Sequence, residues 1–205
     1  MSCSKCGNNT EILFDMGEGE ICQHCFLDGY KPTQYSDGPW LHVKNEQTRE
    51  MVSKSRLIFR NRKYKQVLIE GRKLKLLNLD DSENEIDLTI ENIDKIASEQ
   101  NVLVGKWLIY NVEPDIDNTW FLIASATIKG ILGMSSKVST ALSRKEQFVI
   151  CVYTENYLDI DDVMRVRNNL FDLGFHNVLY YKPDLYTLLG IYAKTTHLAA
   201  YRYKK

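Results

Sequence analysis

The stretch FVICVYT, residues 148–154, indicates the centre of the fold. Almost all of its side chains are β-branched or aromatic, which is typical of a central strand buried on both faces. Cys151 lies inside this apolar run, so we expect it to be a packed core residue. The segment KWLIYNV, residues 106–112, has a similar composition and predicts a second strand.

Helical spacing of apolar residues predicts three helices around these strands. The segments are 87–100, 118–130 and 158–174, and Asn118 is the expected N-cap of the second. Acidic residues in the first turn of the third segment fit a helix start, because the helix dipole favours negative charge there.

Further strands complete the pattern. The segment QVLIEGRKLKLLNL, residues 66–79, predicts a hairpin, and residues 177–182 and 186–194 predict the last two strands. Strands mixed with three helices predict an α+β fold, built as one curved, mostly antiparallel sheet with helices on one face.

The chain divides into three parts by composition. Residues 1–30 form a small cysteine-rich module, and residues 31–55, with Pro32, Pro39 and few apolar side chains, indicate a linker. The α+β domain is expected to span residues 56–205.

Composition restricts the surroundings of the protein. Its 44% hydrophobic content and net charge of −1 are ordinary for a globular protein. There is no apolar run of about eighteen residues and no apolar leader segment, so we expect a cytoplasmic protein without membrane contact. In such a reducing compartment, paired Cys-x-x-Cys motifs indicate metal binding rather than disulfides.

Two such motifs stand close together near the start, CSKC at residues 3–6 and CQHC at residues 22–25. Two knuckles supply the four thiolates that a tetrahedral zinc ion prefers, and a site filled by protein ligands is structural. We therefore expect one zinc ion, bound by Cys3, Cys6, Cys22 and Cys25. The module either caps the fold or docks on a partner, and the sequence leaves both open.

Basic residues concentrate between Arg49 and Lys75, and acidic residues between Leu76 and Glu99. This asymmetry is typical of a nucleic-acid-binding face. The alternative is a solvated surface whose opposite charges meet in the fold. The residues predicted to contact RNA or the ribosome, called the basic strip below, are Arg56, Arg60, Arg62, Lys63, Lys65, Arg72, Lys73 and Lys75.

No catalytic motif is recognisable, and we expect no enzyme and no small-molecule substrate. The chain has no phosphate-binding glycine loop, no nucleophile elbow and no zinc-protease motif. Asp159, Asp161 and Asp162 are closely spaced carboxylates, but capping of a helix explains them better than a metal site.

Two tryptophans and a lysine could form a cleft for a nucleotide. Trp107 and Trp120 flank a predicted strand-to-helix turn, and paired aromatic rings beside basic residues such as Lys182 can stack a base. The alternative is that both indoles belong to the core.

Several phrases, in this order, resemble the basophilic leukaemia-expressed protein family. They are VLVGKWLIY, TWFLIASATIKGIL, SKVS, FVICVYTENYLD and YKPDLYTLLGIY, which together cover about residues 101–194. The resemblance implies a fold similar to that of the messenger-RNA cap-binding initiation factor. Residues 1–60 depart from the typical family pattern.

Along the whole chain, the sequence is similar to a microsporidian branch of that family, whose members occupy the small ribosomal subunit of inactive ribosomes. This resemblance implies a ribosome dormancy, or hibernation, factor that binds ribosomal RNA and proteins near the exit site. One copy per ribosome would inhibit translation by excluding messenger RNA and transfer RNA. The alternative is a module that binds capped or 5′-end RNA in an aromatic cleft.

Overall fold

A computed structural model describes residues 2–7, 13–15, 20–45, 63–111, 115–143 and 147–205. The cysteine-rich module contains a two-stranded antiparallel sheet of β1 (Leu13–Asp15) and β2 (Glu20–Cys22). Helix α1 (Gln23–Gly29) follows β2 directly. The described part of the chain has no helix that is both long and apolar enough to cross a membrane.

A six-stranded antiparallel sheet forms the main layer of the α+β domain. Its strands, in spatial order, are β11 (Tyr203–Lys204), β10 (Tyr180–Pro183), β7 (Gly105–Asn111), β9 (Phe148–Thr154), β8 (Ser135–Ser139) and β3 (Trp40–Lys44). Strands β3 and β11 therefore lie at opposite edges, although one comes early in the chain and the other late. The prediction that residues 148–154 form a central, buried strand is confirmed.

Two helices cover one face of this sheet, α3 (Ile116–Ile128) and α4 (Ile160–Asp172). The indole nitrogen of Trp107 donates a hydrogen bond of 3.0 Å to the Val163 carbonyl of α4. Thr127 of α3 and Ser136 of β8 share a buried hydrogen bond of 2.6 Å. These contacts confirm an α+β fold with antiparallel strands and helices on one face.

A separate three-stranded antiparallel sheet contains β4 (Tyr64–Glu70), β5 (Lys73–Asn78) and β6 (Glu83–Asp87). The helix α2 (Ile90–Gln100) links it to the rest of the domain. Glu99 of α2 accepts hydrogen bonds from Lys63 and from the Tyr64 hydroxyl. Asp94 of the same helix binds Arg202 and the Tyr157 hydroxyl.

One predicted boundary and the predicted placement of one hairpin differ from the structure. Residues 40–44, inside the predicted linker, form edge strand β3. The strand signal in this segment is the alternation of buried Leu41 and Val43 with more exposed neighbours. The predicted hairpin exists, with Gly71 in its turn at φ +61°, but it belongs to the separate sheet. The fold therefore has more than one sheet.

The end of the chain also departs from prediction. Residues 186–194 form no strand, because Asp184–Leu188 is helix α5, with Pro183 and Asp184 supplying a helix start. Asp115, not Asn118, precedes α3. The last strand is instead β11, whose position is fixed by Arg167, which donates to the carbonyls of Phe175, Asn177 and Lys205.

Gly133 lies where the chain passes from α3 to β8 and touches the backbone of β9. A Cβ atom at Gly133 would lie 1.8 Å from the Tyr153 carbonyl oxygen, so Gly133→Ala must displace the backbone. We expect it to lower the free energy of unfolding by about 1–3 kcal/mol or more, measured by chemical denaturation. Gly38→Ala is the control, because its Cβ would make only ordinary contact with Tyr35. Equal stability of the two variants would contradict this packing.

Candidate nucleic-acid interface and metal centre

The four cysteines of the two knuckles come together in the module. Their sulfur atoms all lie within 4.8 Å of one another, and those of Cys6 and Cys22 are 3.8 Å apart. Four thiolates about 2.3 Å from a tetrahedral zinc ion would be separated by about 3.8 Å. The cluster can therefore hold a metal ion, and no cysteine in it forms a disulfide.

Local backbone geometry favours the thiolate form of one of these ligands. The amide of Cys22 donates to the Cys3 sulfur at 3.2 Å, and this hydrogen bond lowers the pKa of Cys3 to about 6. In contrast, a hydrogen bond with Cys6, together with burial, raises the pKa of Cys25 to about 12. Several thiolates this close together repel one another, and a metal ion supplies the positive charge that lets all of them ionise.

The two tryptophans of the predicted cleft are core residues. Trp107 is 0% exposed and Trp120 is 1% exposed. Trp107 packs edge-on against Tyr181 on the helix-covered face of the sheet. Neither ring is available to stack on a nucleotide, which favours the core alternative over the cleft.

Lys182, the third residue of that predicted cleft, points to the opposite face. It is 5% exposed and donates a hydrogen bond of 2.7 Å to the Ile191 carbonyl. Burial lowers the pKa of Lys182 to about 8, with a further contribution from the charge of Lys106, while Asp184 opposes the shift. Its ammonium group also lies 3.8 Å from the centre of the Tyr192 ring.

The basic strip is partly described. Arg56, Arg60 and Arg62 lie outside the described residues, and Arg72 is exposed beside the hairpin turn. The lysines each have an acidic partner: Lys63 pairs with Glu99, Lys65 with Asp81, Lys73 with Asp87, and Lys75 with Glu70. Opposite charges therefore meet inside this region.

The face of the six-stranded sheet that turns away from α3 and α4 carries a different set of residues, which we call the open face. Register relations align its side chains in rows across the strands. The first row contains Trp40, Ser139, Val149 and Tyr110. The second contains His42, Lys137, Cys151, Leu108, Tyr180 and Lys204, and the third contains Lys44, Ser135, Tyr153, Lys106 and Lys182.

Lysines and aromatic rings alternate on this open face. The Lys137 ammonium lies 4.1 Å from the centre of the Trp40 ring and 5.6 Å from that of Tyr153. Lys204 lies 5.6 Å from the ring of Tyr180, which also packs against Tyr201. Such mixtures of cations and rings are typical of surfaces that bind nucleic-acid backbone and bases together.

Exposure is greatest at the edges of the open face. Trp40 is 38% exposed and Tyr110 is 52% exposed, while Lys44 and Lys137 are half-buried and Lys204 is exposed. The centre is more covered, because Lys106 forms an ion pair with Asp184 and its side chain is only 12% exposed. The accessible cations are therefore those near β3, β8 and β11.

The open face is not predictable from any single segment of the sequence. Its residues come from 40–44, 106–110, 135–139, 149–153 and the last strands, and only the pairing of strands brings them together. The signal that could have found it is the alternation of polar and aromatic residues with buried ones in each strand. Cys151, which is 3% exposed, lies at the centre of this face and is a core residue as predicted.

Comparison with known proteins gives a family and several distant structural neighbours. The family described as basophilic leukemia-expressed protein Bles03 matches residues 24–190, so Cys3, Cys6 and Cys22 precede the matched part. Among solved structures, a complex of C. elegans eIF4E-3 with the 4E-binding protein Mextli and cap analog has 16% identity and a TM-score of 0.41, covering 85% of this chain and 99% of that one.

Two further structures are similar at the same distant level. Ascaris suum eIF4E-3 with m2,2,7G cap has 14% identity and a TM-score of 0.39, covering 81% of this chain and 93% of that one. A schistosome eIF4E complexed with m7GpppA and 4E-BP has 13% identity and a TM-score of 0.41, covering 82% of this chain and 97% of that one.

The burial of Trp107 predicts a purely structural role for its indole. Trp107→Ala removes a fully buried ring and the hydrogen bond that its indole donates to the Val163 carbonyl, so we expect a loss of about 3–5 kcal/mol in the free energy of unfolding. Trp40→Ala is the matched control and should lose much less, because that ring is 38% exposed. Tryptophan fluorescence during urea unfolding measures both. A Trp107→Ala protein as stable as the parent would contradict the core assignment.

Proposed function

The chain belongs to the basophilic leukemia-expressed protein Bles03 family, and on that premise we propose that it is a non-catalytic RNA-binding protein that docks on the small ribosomal subunit. The observation that carries the proposal is the open face, where Lys44, Lys137 and Lys204 share one surface with the exposed rings of Trp40 and Tyr110. Lysine contacts to phosphate carry no sequence information, which suits a fixed RNA scaffold.

The more specific part of this proposal is that the protein keeps ribosomes dormant. A protein that fills the path of messenger RNA and outgoing transfer RNA near the exit site inhibits translation by occupying space, and needs no reactive group. Support comes from the resemblance of the chain to the ribosome-bound dormancy branch. One copy would bind each ribosome, in the cytoplasm, through ribosomal RNA and neighbouring ribosomal proteins.

The basic strip remains a second candidate contact for the same partner. Its described lysines are already paired with acids, and each exposed pair of this kind contributes little to stability. RNA phosphates can replace those carboxylates as partners of the lysines. Because each existing ion pair must first be broken, the net gain in affinity is small. Among the described residues, Lys44, Lys137 and Lys204 of the open face form no ion pair with an acidic side chain, and we therefore assign this face the larger share of binding.

A second candidate function is binding of RNA at its 5′ end. The exposed indole of Trp40, with Lys137 against it, is the observation that favours this function, since a base can stack on such a ring. The originally predicted pair, Trp107 and Trp120, does not support it, because both rings are buried. Capped RNA is therefore a necessary competitor in the binding experiments.

Zinc is the metal that we propose for the cysteine cluster. Four thiolates in a closed tetrahedron are typical of structural zinc sites, and the 3.8 Å separation of Cys6 and Cys22 fits that geometry. Cys3, Cys6, Cys22 and Cys25 would hold the ion and thereby stabilise a module too small to have a large core.

Metal analysis tests the zinc proposal directly. The purified chain is expected to contain about one zinc ion, and Cys22→Ser is expected to lose it and to unfold the module while the domain that contains the six-stranded sheet stays folded. Cys151→Ala is the control, because Cys151 lies outside the cluster. Absence of zinc from the parent protein, or full reactivity of the four thiols without chelator, would rule the site out.

Co-sedimentation with small ribosomal subunits tests the function. Replacing Lys44, Lys137 and Lys204 together by Gln should weaken binding roughly tenfold or more at moderate salt, because the affinity depends on phosphate neutralisation. The slope of log affinity against log salt should fall by about 2, at roughly 0.7 for each lost contact.

Two further arms make the outcome decisive. Replacing Lys65, Lys73 and Lys75 by Gln tests the basic strip with the same change in charge. Addition of capped RNA, messenger RNA or deacylated transfer RNA shows which ligands compete. Binding that is insensitive to both triple variants would exclude RNA docking through these lysines, and strong binding to capped RNA without binding to subunits would favour the 5′-end function.

A further inference from the structure

We propose that the open face binds unpaired, single-stranded RNA laid across the strands, with bases stacking on the first row and phosphates held by lysines of the next two. This inference rests on the proposed function and names the form of RNA that the face accepts. It follows from the alignment of the rows, not from any single residue.

The first row contains two exposed aromatic rings with smaller side chains between them. Trp40 of β3 pairs with Ser139, and Tyr110 of β7 pairs with Val149. The Ser139 hydroxyl accepts a hydrogen bond of 2.9 Å from the Val149 amide, which joins the two halves of the row. Neighbouring strands are about 4.8 Å apart. Trp40 and Tyr110 are three strands apart, so their backbones are separated by about 14 Å.

The cations lie on one side of this row of rings. Lys137 belongs to the second row, two residues along β8 from Ser139, and Lys204 joins that row by pairing with Tyr180, whereas Lys44 belongs to the third. Each step of two residues along a strand is about 6.7 Å. The Lys137 ammonium lies 4.1 Å from the centre of the Trp40 ring, so a base that stacks on that face takes its place, and the displaced ammonium stays within reach of the phosphate.

His42 lies between these cations and is well suited to contact a base edge. Partial burial, together with the charges of Lys44 and Lys137, lowers the pKa of His42 to about 4. Its imidazole is therefore neutral near pH 7, with one nitrogen to donate a hydrogen bond and one to accept. A neutral ring among lysines adds hydrogen bonding without adding further charge.

Only unpaired RNA can use this arrangement. In a duplex, the bases are stacked on each other and their faces are closed to protein rings, whereas loops and single strands can place a base on an aromatic side chain. A broad sheet face also cannot enter the deep, narrow groove of an RNA helix. The exposed rings of Trp40 and Tyr110 would contribute nothing to binding of a duplex.

The test measures binding of the full chain to a fluorescent oligouridylate and to the same strand annealed to oligoadenylate. We expect the single strand to bind at least tenfold more tightly than the duplex. Trp40→Leu should weaken single-strand binding about tenfold while leaving the salt slope unchanged, because stacking is lost and no phosphate contact is. Trp40→Tyr should restore most of the affinity, since it keeps an aromatic face.

Matched variants separate this inference from the proposed function. Phe171→Leu removes an exposed ring, 49% exposed against 38% for Trp40, from helix α4 on the other side of the sheet and should leave RNA binding unchanged. If Trp40→Leu binds as tightly as the parent, or if the duplex binds as well as the single strand, the inference is wrong although subunit binding through lysines can stand. If the parent binds neither RNA nor subunits, the proposed function fails as well.

Discussion

The pairing of β7 with β9 is the constraint on which the rest of the structure depends. It runs without interruption from Gly105 opposite Thr154 to Asn111 opposite Phe148. Because side chains alternate along a strand, a slip by one residue would exchange the two faces of the sheet. This register sends Trp107 and Val152 toward the helices and leaves Tyr110, Lys106 and Tyr153 on the open face.

The two faces of the sheet are stabilised in different ways, although the same strands form both. The helix-covered face is closed by apolar packing and by buried hydrogen bonds, such as those of Trp107 with Val163 and Thr127 with Ser136. The open face holds ammonium groups close to rings, where the cation–π attraction partly compensates for lost hydration. The charged groups of the open face thus lie on a layer whose packing is on the opposite side.

Much of the fold could be predicted because its signals are local. The apolar run at 148–154, the helical spacing at 160–172 with Asp159 capping through the Asp162 amide, and the two cysteine knuckles are all visible over a few residues. The open face could not be predicted, because it depends on which strands are neighbours. Strand β3 is not predicted, because its alternation of apolar and polar side chains covers only five residues and the prolines beside it are typical of a linker.

The order of strands in the main sheet also bears on the synthesis of the protein. One edge strand, β3, is near the start of the chain and the other, β11, is at residues 203–204, after every other described element. A nascent chain can form β7, β8 and β9 early, but contacts between such distant segments close late. The open face is therefore incomplete until residues 203–204 have been synthesised and have paired with β10.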